Sequence, residues 1–389
     1  MKPVNIAMLS LTHGHTRKYF QTLRDSPRLN WVAACTNNAA ARSRFQRDVP
    51  GVPCYQTADE MFDRHPDIEA AVLASANSEH WQQMQLCARR GVHILSMKIP
   101  TFDLDEYDRM TRLVDESGVV CQIELELYYN PVVRRVRKLV AEGAVGRILS
   151  ISATNITLSP VWAFPWQGVP ELSYGRRTPL APRDSRFRGG ALCDHPHIFD
   201  LMRRLTGSEF RSIFADVAPN MRTGLEVEDL LLANGKLADG TTLLIDPSWS
   251  RLEERLPEPG PGWEVFPKRM EVNLAIVGQR GTILADCFGP NVYHNGAPND
   301  RYTVQYTYFD EWIGLIDEFA DCIRAGREPQ VNLRWHRPTI EVMNACYESI
   351  ASGQPVAIGE NEVLSNMHTE ATAVRSDAEC ARVSNEVQS

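Results

Sequence analysis

The residues best suited to chemistry in this chain lie in GGALCDHPHIFDLMRRL, Gly189 to Leu205. Two glycines, a carboxylate and two imidazoles stand at the mouth of an amphipathic helix. Asp194 and His197 are three residues apart, so a continuous helix would put them on one face. A carboxylate beside an imidazole is a proton-transfer pair, because an unperturbed imidazole titrates near neutral pH. His195 supplies a second imidazole next to it. The amine that can complete such a site is Lys98, far upstream, just past the apolar run VHILS. Lys98, Asp194, His197 and His195 are therefore the catalytic candidates.

These groups need elements to carry them. VNIAMLSL, WVAACT, Ile68 to Ser75, VHILS and VVCQIEL read as strands. Between them, Thr16 to Asp25, Ala39 to Arg47, Ser78 to Arg90 and Asp103 to Ser117 read as helices, the last two closed by Gly91 and Gly118. Alternation of this kind predicts a parallel sheet covered on both faces, with ligands at the carboxyl ends of its strands.

The turn after the first strand is Ser10-Leu11-Thr12-His13-Gly14-His15. Against G-x-G-x-x-G, the glycine places hold Ser10, Thr12 and His15, a poor match. Small hydroxyl residues still let a pyrophosphate approach the backbone, and the helix from Thr16 offers its positive end. The second strand is followed by Thr36, Asn37 and Asn38, with Arg42 and Arg44 beyond. No acid stands there to repel a 2′-phosphate, which favours NADP over NAD, although Asn37 can bond a ribose hydroxyl.

Asn130 and Pro131 open a helix striped with Val132, Val133, Val136, Leu139 and Val140. Strands then follow with few helices between them, from RILSISATNIT to RYTVQYTYF. The expected architecture is a parallel α/β sheet in the first third of the chain, then a largely antiparallel sheet. Glu311 to Arg324 and Arg337 to Ser352 read as helices, and Arg251 to Pro267 as a long loop.

A chain of 389 residues has room for both cores, and its net charge of −8 argues against a nucleic-acid or membrane-surface binder. No run is apolar enough to span a membrane, and none reads as a signal peptide. The nine cysteines are scattered without a CxxC pair, so free thiols in a reducing cytoplasm are expected. Glu124 and Glu126, two apart on a strand, can meet His195 and His197 at a divalent ion, but no spacing requires it and no metal site is expected. Arg176, Arg177, Arg183, Arg186 and Arg188 crowd the loop before Gly189, where guanidinium groups can grip a carboxylate, sulfonate or phosphate. Trp162 and Trp166 offer ring faces to a sugar.

Four segments resemble one family. AAVLASANSEHWQQMQLCARRGVHILSMK, with Asn77 and His80, follows a strand, Asn-x-x-His turn, helix and strand. SMKIP takes the place of E-K-P, LYYNPVVRRVRKLVAEGAVGRI resembles the first helix of the second domain, and GGALCDHPHIFDL resembles G-G-x-L-x-D-x-x-x-H-x-x-D. The family is the glucose–fructose oxidoreductase, inositol dehydrogenase and rhizopine-catabolism proteins, Gfo/Idh/MocA. The resemblance implies hydride transfer between NAD or NADP and a hydroxyl or carbonyl of a sugar, sugar acid or cyclitol. It implies cofactor contacts at Ser10, Thr12, His13, Gly14, His15, Thr36, Asn37, Ser75, Asn77, His80 and Lys98. Substrate contacts are expected from Lys98, Tyr128, Trp162, Trp166, Arg176, Arg177, Arg188, Asp194, His195 and His197. It also implies an α/β N-terminal Rossmann domain with a parallel sheet over 1–125 for dinucleotide binding, and an α+β C-terminal domain with an open, mainly antiparallel sheet over 126–360 for substrate binding and oligomerisation. It implies, too, a polar tail over 361–389 and a homodimer or homotetramer assembled through the broad sheet. The family's Glu is Met97 here, its Pro is Ile99, and His197 stands at +3 from Asp194 where +4 is usual. These departures leave room for an NAD-dependent glycosidase or lyase that oxidises only transiently, or for a non-catalytic binding protein of the same fold. They also leave His195 as either a substrate contact or the acid/base.

Overall fold

Strand β1 (Val4–Leu9) runs through the middle of the first half, buried along almost its whole length. The computed structural model describes residues 2–13, 15–157, 190–221, 227–250, 270–296, 299–303 and 310–359. After β1 come α1 (Thr16–Asp25), β2 (Leu29–Cys35), α2 (Ala39–Asp48), β3 (Cys54–Tyr55), α3 (Ala58–Arg64) and β4 (Ala70–Leu73). Then follow α4 (Asn77–Arg89), β5 (His93–Ser96), α5 (Leu104–Ser117) and β6 (Cys121–Ile123). The strands form one parallel sheet in the order β3-β2-β1-β4-β5-β6. All four residues of β4 are buried, as expected of a strand covered on both faces. Asn38, Thr57 and Asp103 cap α2, α3 and α5 by accepting backbone N–H groups.

The strand order reverses between β1 and β4, the place where such sheets bind ligands. The N–H groups of Thr12 and His13 both donate to the Ala74 carbonyl, at 3.0 and 3.1 Å, and tie the turn after β1 to the end of β4.

The second half starts with a 3₁₀ turn, Glu126–Tyr129, and α6 (Pro131–Ala141). It continues through β7 (Ile148–Thr157), α7 (Ala191–Asp194), α8 (Pro196–Thr206), β8 (Phe210–Val217), β9 (Leu231–Leu237) and β10 (Thr242–Asp246). The last elements are β11 (Met270–Gly278), β12 (Thr282–Asp286), β13 (Asn291–Asn295), β14 (Asp300–Thr303), α9 (Asp310–Ala325), α10 (Leu333–Ser352) and β15 (Val356–Ala357). Their nine strands form a sheet ordered β14-β13-β12-β11-β7-β10-β9-β8-β15. Every pairing is antiparallel except β7 with β10. Burial alternates along β9, so one face packs inward while the other looks out. Helices α8 and α10 lie on β7 and β8.

The halves are stitched together beside β6. Gln122 Nε2 donates to the Leu315 carbonyl at 2.9 Å, and the Ile123 N–H to the Val331 carbonyl at 2.9 Å. Trp312 of α9 is fully buried against Tyr19 and His15.

Several sequence expectations need correction. Asp194 and His197 do not share a helical face: α7 ends at Asp194, His195 leaves helical geometry (φ −120°, ψ 49°), and Pro196 starts α8. Proline suits a first helical position, where its missing N–H costs nothing, so it opens a new helix here. Glu124 lies just past β6 and Glu126 opens the 3₁₀ turn, so neither is on a strand. Helix α10 begins at Leu333, capped by Asn332, and runs through Pro338. The short β3 and α3 were not anticipated at all. Among the described residues no helix is long and apolar enough to cross a membrane, and every cysteine is a free thiol.

Candidate active site

Lys98 follows β5 and is 3% exposed. The peptide between Lys98 and Ile99 is cis. The Lys98 ammonium donates to the backbone carbonyl of Asp194 and, at 2.9 Å, to Asp194 Oδ1. Trp249 Nε1 donates to the other carboxylate oxygen at 2.9 Å. Both Asp194 oxygens are thus engaged by buried donors. Burial alone would raise the Asp194 pKa, but the Lys98 ammonium pulls it well below the usual carboxylate range. Burial opposes the charge on Lys98, yet Asp194, Glu126 and Glu124 outweigh it and raise the amine. Lys98 is therefore a fixed ammonium, not a proton acceptor, at neutral pH.

The two imidazoles have different surroundings. His195 Nδ1 lies 3.0 Å from the Pro247 carbonyl and Nε2 lies 3.2 Å from the Thr157 hydroxyl. One nitrogen donates and the other accepts, so the ring is pinned as one neutral tautomer. His197 Nε2 is 3.6 Å from Glu126 Oε1, and its Nδ1 has no hydrogen-bond partner among the described residues. Burial lowers the His197 pKa well below its ordinary value, with Lys98, His15 and His195 adding to the effect. The imidazole that stays neutral and keeps a nitrogen uncommitted is His197.

Glu228 fixes this corner. The Ala191 N–H donates to its carbonyl at 3.0 Å, and the Leu192 N–H and Tyr347 hydroxyl each donate to its Oε1 at 3.1 Å. Gly190 must be small, because a Cβ there would sit 2.3 Å from the Glu228 carbonyl oxygen.

A third group comes from the turn after β1. His15 Nδ1 lies 2.7 Å from Glu124 Oε1, and the Tyr19 hydroxyl donates to Glu124 Oε2 at 3.2 Å. Burial pushes the Glu124 carboxyl up to about 8 and holds the His15 imidazole down to about 3. Burial and the nearby Glu124 raise Glu126 as well. His13 is buried, with Nδ1 accepting the His15 N–H at 3.1 Å.

The turn fits a dinucleotide's phosphates. Ser10, at the first glycine place, adopts the left-handed backbone (φ 60°) that glycine usually provides. Ser10 and Thr12 join their hydroxyls at 3.0 Å, and α1 has no side-chain cap and no acid in its first turn. An uncompensated helix start with flanking hydroxyls suits an anion. Past β2, the Thr36 hydroxyl accepts the Asn38 N–H and Asn37 is exposed.

Of the other sequence candidates, Ser75 donates to Gln83 Oε1 at 2.8 Å, and Asn77 is buried in the first turn of α4. His80 Nδ1 meets the Pro100 carbonyl at 3.1 Å, so it braces the loop carrying Lys98. Tyr128 does not join the cluster: its hydroxyl donates to Gln330 and its ring lies under Arg137 and Arg204. Gly14, Trp162, Trp166, Arg176, Arg177, Arg183, Arg186 and Arg188 lie outside the described residues. Trp249 and Glu228 escaped the sequence reading, since nothing local marks a strand-end tryptophan or a lone buried glutamate. Glu124 and Glu126 were noted, but with His195 and His197 as companions. In the structure His15 joins them, and His195 turns to Pro247.

Comparison with known proteins gives the same outline. A sequence model of an oxidoreductase family with an NAD-binding Rossmann fold matches residues 6–125, and one of the GFO/IDH/MocA C-terminal domain matches residues 133–284. D-apiose dehydrogenase of Paraburkholderia graminis is 22% identical over 93% of this chain and 90% of its own length. Myo-inositol 2-dehydrogenase of Thermotoga maritima is 23% identical over 75% and 80%. An Agrobacterium radiobacter oxidoreductase, solved with NAD+, L-tartaric acid and magnesium, superposes with a TM-score of 0.73 at 16% identity, covering 92% of this chain and 99% of that one.

Proposed function

The chain belongs to the GFO/IDH/MocA family of NAD(P)-dependent oxidoreductases, and on that premise we propose that it interconverts a hydroxyl and a carbonyl on a sugar, sugar acid or cyclitol. The observation that carries this reading is the buried Lys98–Asp194 pair beside a neutral His197. Bound NAD(P) supplies the hydride acceptor or donor. The N-terminal 125 residues hold it, with Ser10, Thr12, His13 and His15 at the phosphates, Thr36 and Asn37 at the adenosine ribose, and Ser75 and Asn77 along the crevice. Residues 126–360 receive the substrate.

Lys98 donates a hydrogen bond to the reacting oxygen and stabilises alkoxide character there. A fixed donor in a water-poor site needs little reorganisation as charge develops. Asp194 keeps that amine charged and aimed. His197 takes the alcohol proton at its uncommitted nitrogen, or returns it to a carbonyl. His195, with both nitrogens in use, ties the break between α7 and α8 to Pro247 and Thr157. The lack of a carboxylate after β2 supports NADP as the preferred coenzyme. The free thiols fit a cytoplasmic setting. The outer face of the second sheet, where Leu232, Leu244 and Leu284 are more than half exposed, supports a homodimer or homotetramer.

Calorimetric titration with NAD, NADP and their reduced forms tests the premise, followed by nicotinamide absorbance on a panel of sugars, sugar acids and cyclitols. Binding of one coenzyme and net absorbance change with one substrate class are expected. No binding by any form removes the reading. Product formation without net absorbance change assigns transient oxidation with elimination instead.

A further inference from the structure

We propose that His15, Glu124 and Glu126 bind one divalent first-row transition cation. Their donor atoms all lie within 4.8 Å of one another. Opposite ligands of an ion at about 2.1 Å are about 4.2 Å apart, so shifts of a few tenths of an ångström close the site. One imidazole and two carboxylates suit Mn²⁺, Fe²⁺, Co²⁺ or Zn²⁺.

Glu126 independently points to a ligand. The residue is 8% exposed, Oε2 has no hydrogen-bond partner among the described residues, and Oε1 lies 3.6 Å from His197 Nε2. A buried carboxylate without a donor costs several kcal/mol unless something positive arrives. The neighbouring ammonium, Lys98, is already committed to Asp194 through two contacts. A divalent ion displaces the protons that burial favours on Glu124 and Glu126 and balances both carboxylates together.

The surroundings suit a metal centre. Tyr19 holds Glu124 Oε2, and the His15 ring is wedged edge-on against Trp312 and His13. Such outer contacts orient ligands. The three donors sit at the ends of rigid elements: the start of α1, the end of β6 and the start of the 3₁₀ turn. Three protein ligands leave coordination positions for an exogenous oxygen. The use we assign to these positions, holding a substrate hydroxyl next to Lys98, rests on the oxidoreductase reading. The binding of the ion does not.

The test uses the full chain, stripped with a chelator and dialysed against Co²⁺, Mn²⁺ or Zn²⁺. One ion per chain is expected, with Co²⁺ visible bands of a mixed nitrogen and oxygen shell. Glu126→Gln and His15→Gln should each weaken binding by more than about a hundredfold, while Glu318→Gln, a buried carboxylate elsewhere, leaves it unchanged. Melting curves on the same samples confirm folding, and coenzyme titration is run on the stripped and ion-loaded wild type. Failure of the stripped wild type to take up an ion, or equal uptake by Glu126→Gln, overturns the proposal. Coenzyme binding without an ion rejects the metal alone, and an ion without coenzyme rejects the oxidoreductase reading alone.

Discussion

Lys98 and Asp194 are 96 residues apart in sequence and in contact in the fold. Removing one member of a buried pair leaves the other uncompensated, at a typical cost of about 3–5 kcal/mol. Lys98→Met should therefore lower the melting temperature and cut turnover by about a hundredfold or more. Retention of most wild-type turnover by a folded Lys98→Met would remove the amine from the mechanism. Glu228 gives a pH prediction of known sign. Burial raises its carboxyl from the ordinary glutamate value to about 8. In the window between, the folded chain keeps a proton that the unfolded chain has lost, so stability falls as pH rises. The slope is up to about 1.4 kcal/mol per pH unit. Glu228→Gln, which carries no such proton, should flatten denaturation curves measured from pH 5 to 8. An unchanged slope would show that Glu228 is ionised when folded.

The decisive elements are the short α7 and the break after it. One stretch of chain delivers Asp194 and His197 from two helices rather than one, and Glu228 fastens the first of them through the Ala191 and Leu192 N–H groups. Gly190→Ala would drive a methyl into Glu228. Overpacking of this kind costs about 1–3 kcal/mol, and here it should also push α7 away from Lys98. Turnover should drop well beyond what the loss of folded protein explains; proportional losses would mean that α7 tolerates displacement. Between α7 and α8, residue spacing suggested one helical face, and the two helices that meet at Pro196 were not legible. That outcome depends on His195 reaching Pro247 and Thr157, partners set by the second sheet.

In the molecule as a whole, the helices cover one face of the nine-stranded sheet and leave Leu149, Leu232, Leu244, Val277, Leu284 and Tyr293 exposed on the other. Leu284 lies directly opposite Tyr293 on the neighbouring strand, so the apolar row is continuous there. Leu232→Glu with Leu244→Glu should reduce the mass measured by light scattering to that of one chain. A wild-type chain already monomeric at micromolar concentration would show that this face has no partner copy.

Strand and helix order followed from apolar periodicity, because alternation and 3.6-residue stripes are local properties that each segment carries alone. The parallel first sheet and the mainly antiparallel second one followed the same way, as did Lys98, Asp194 and His197 as chemical candidates. Tertiary structure decided which side chains meet. His15 and Glu124 are 109 residues apart, and their contact exists only because the turn after β1 and the end of β6 open onto one crevice. The same burial that joins them shifts their protonation, and no window of sequence carries that information.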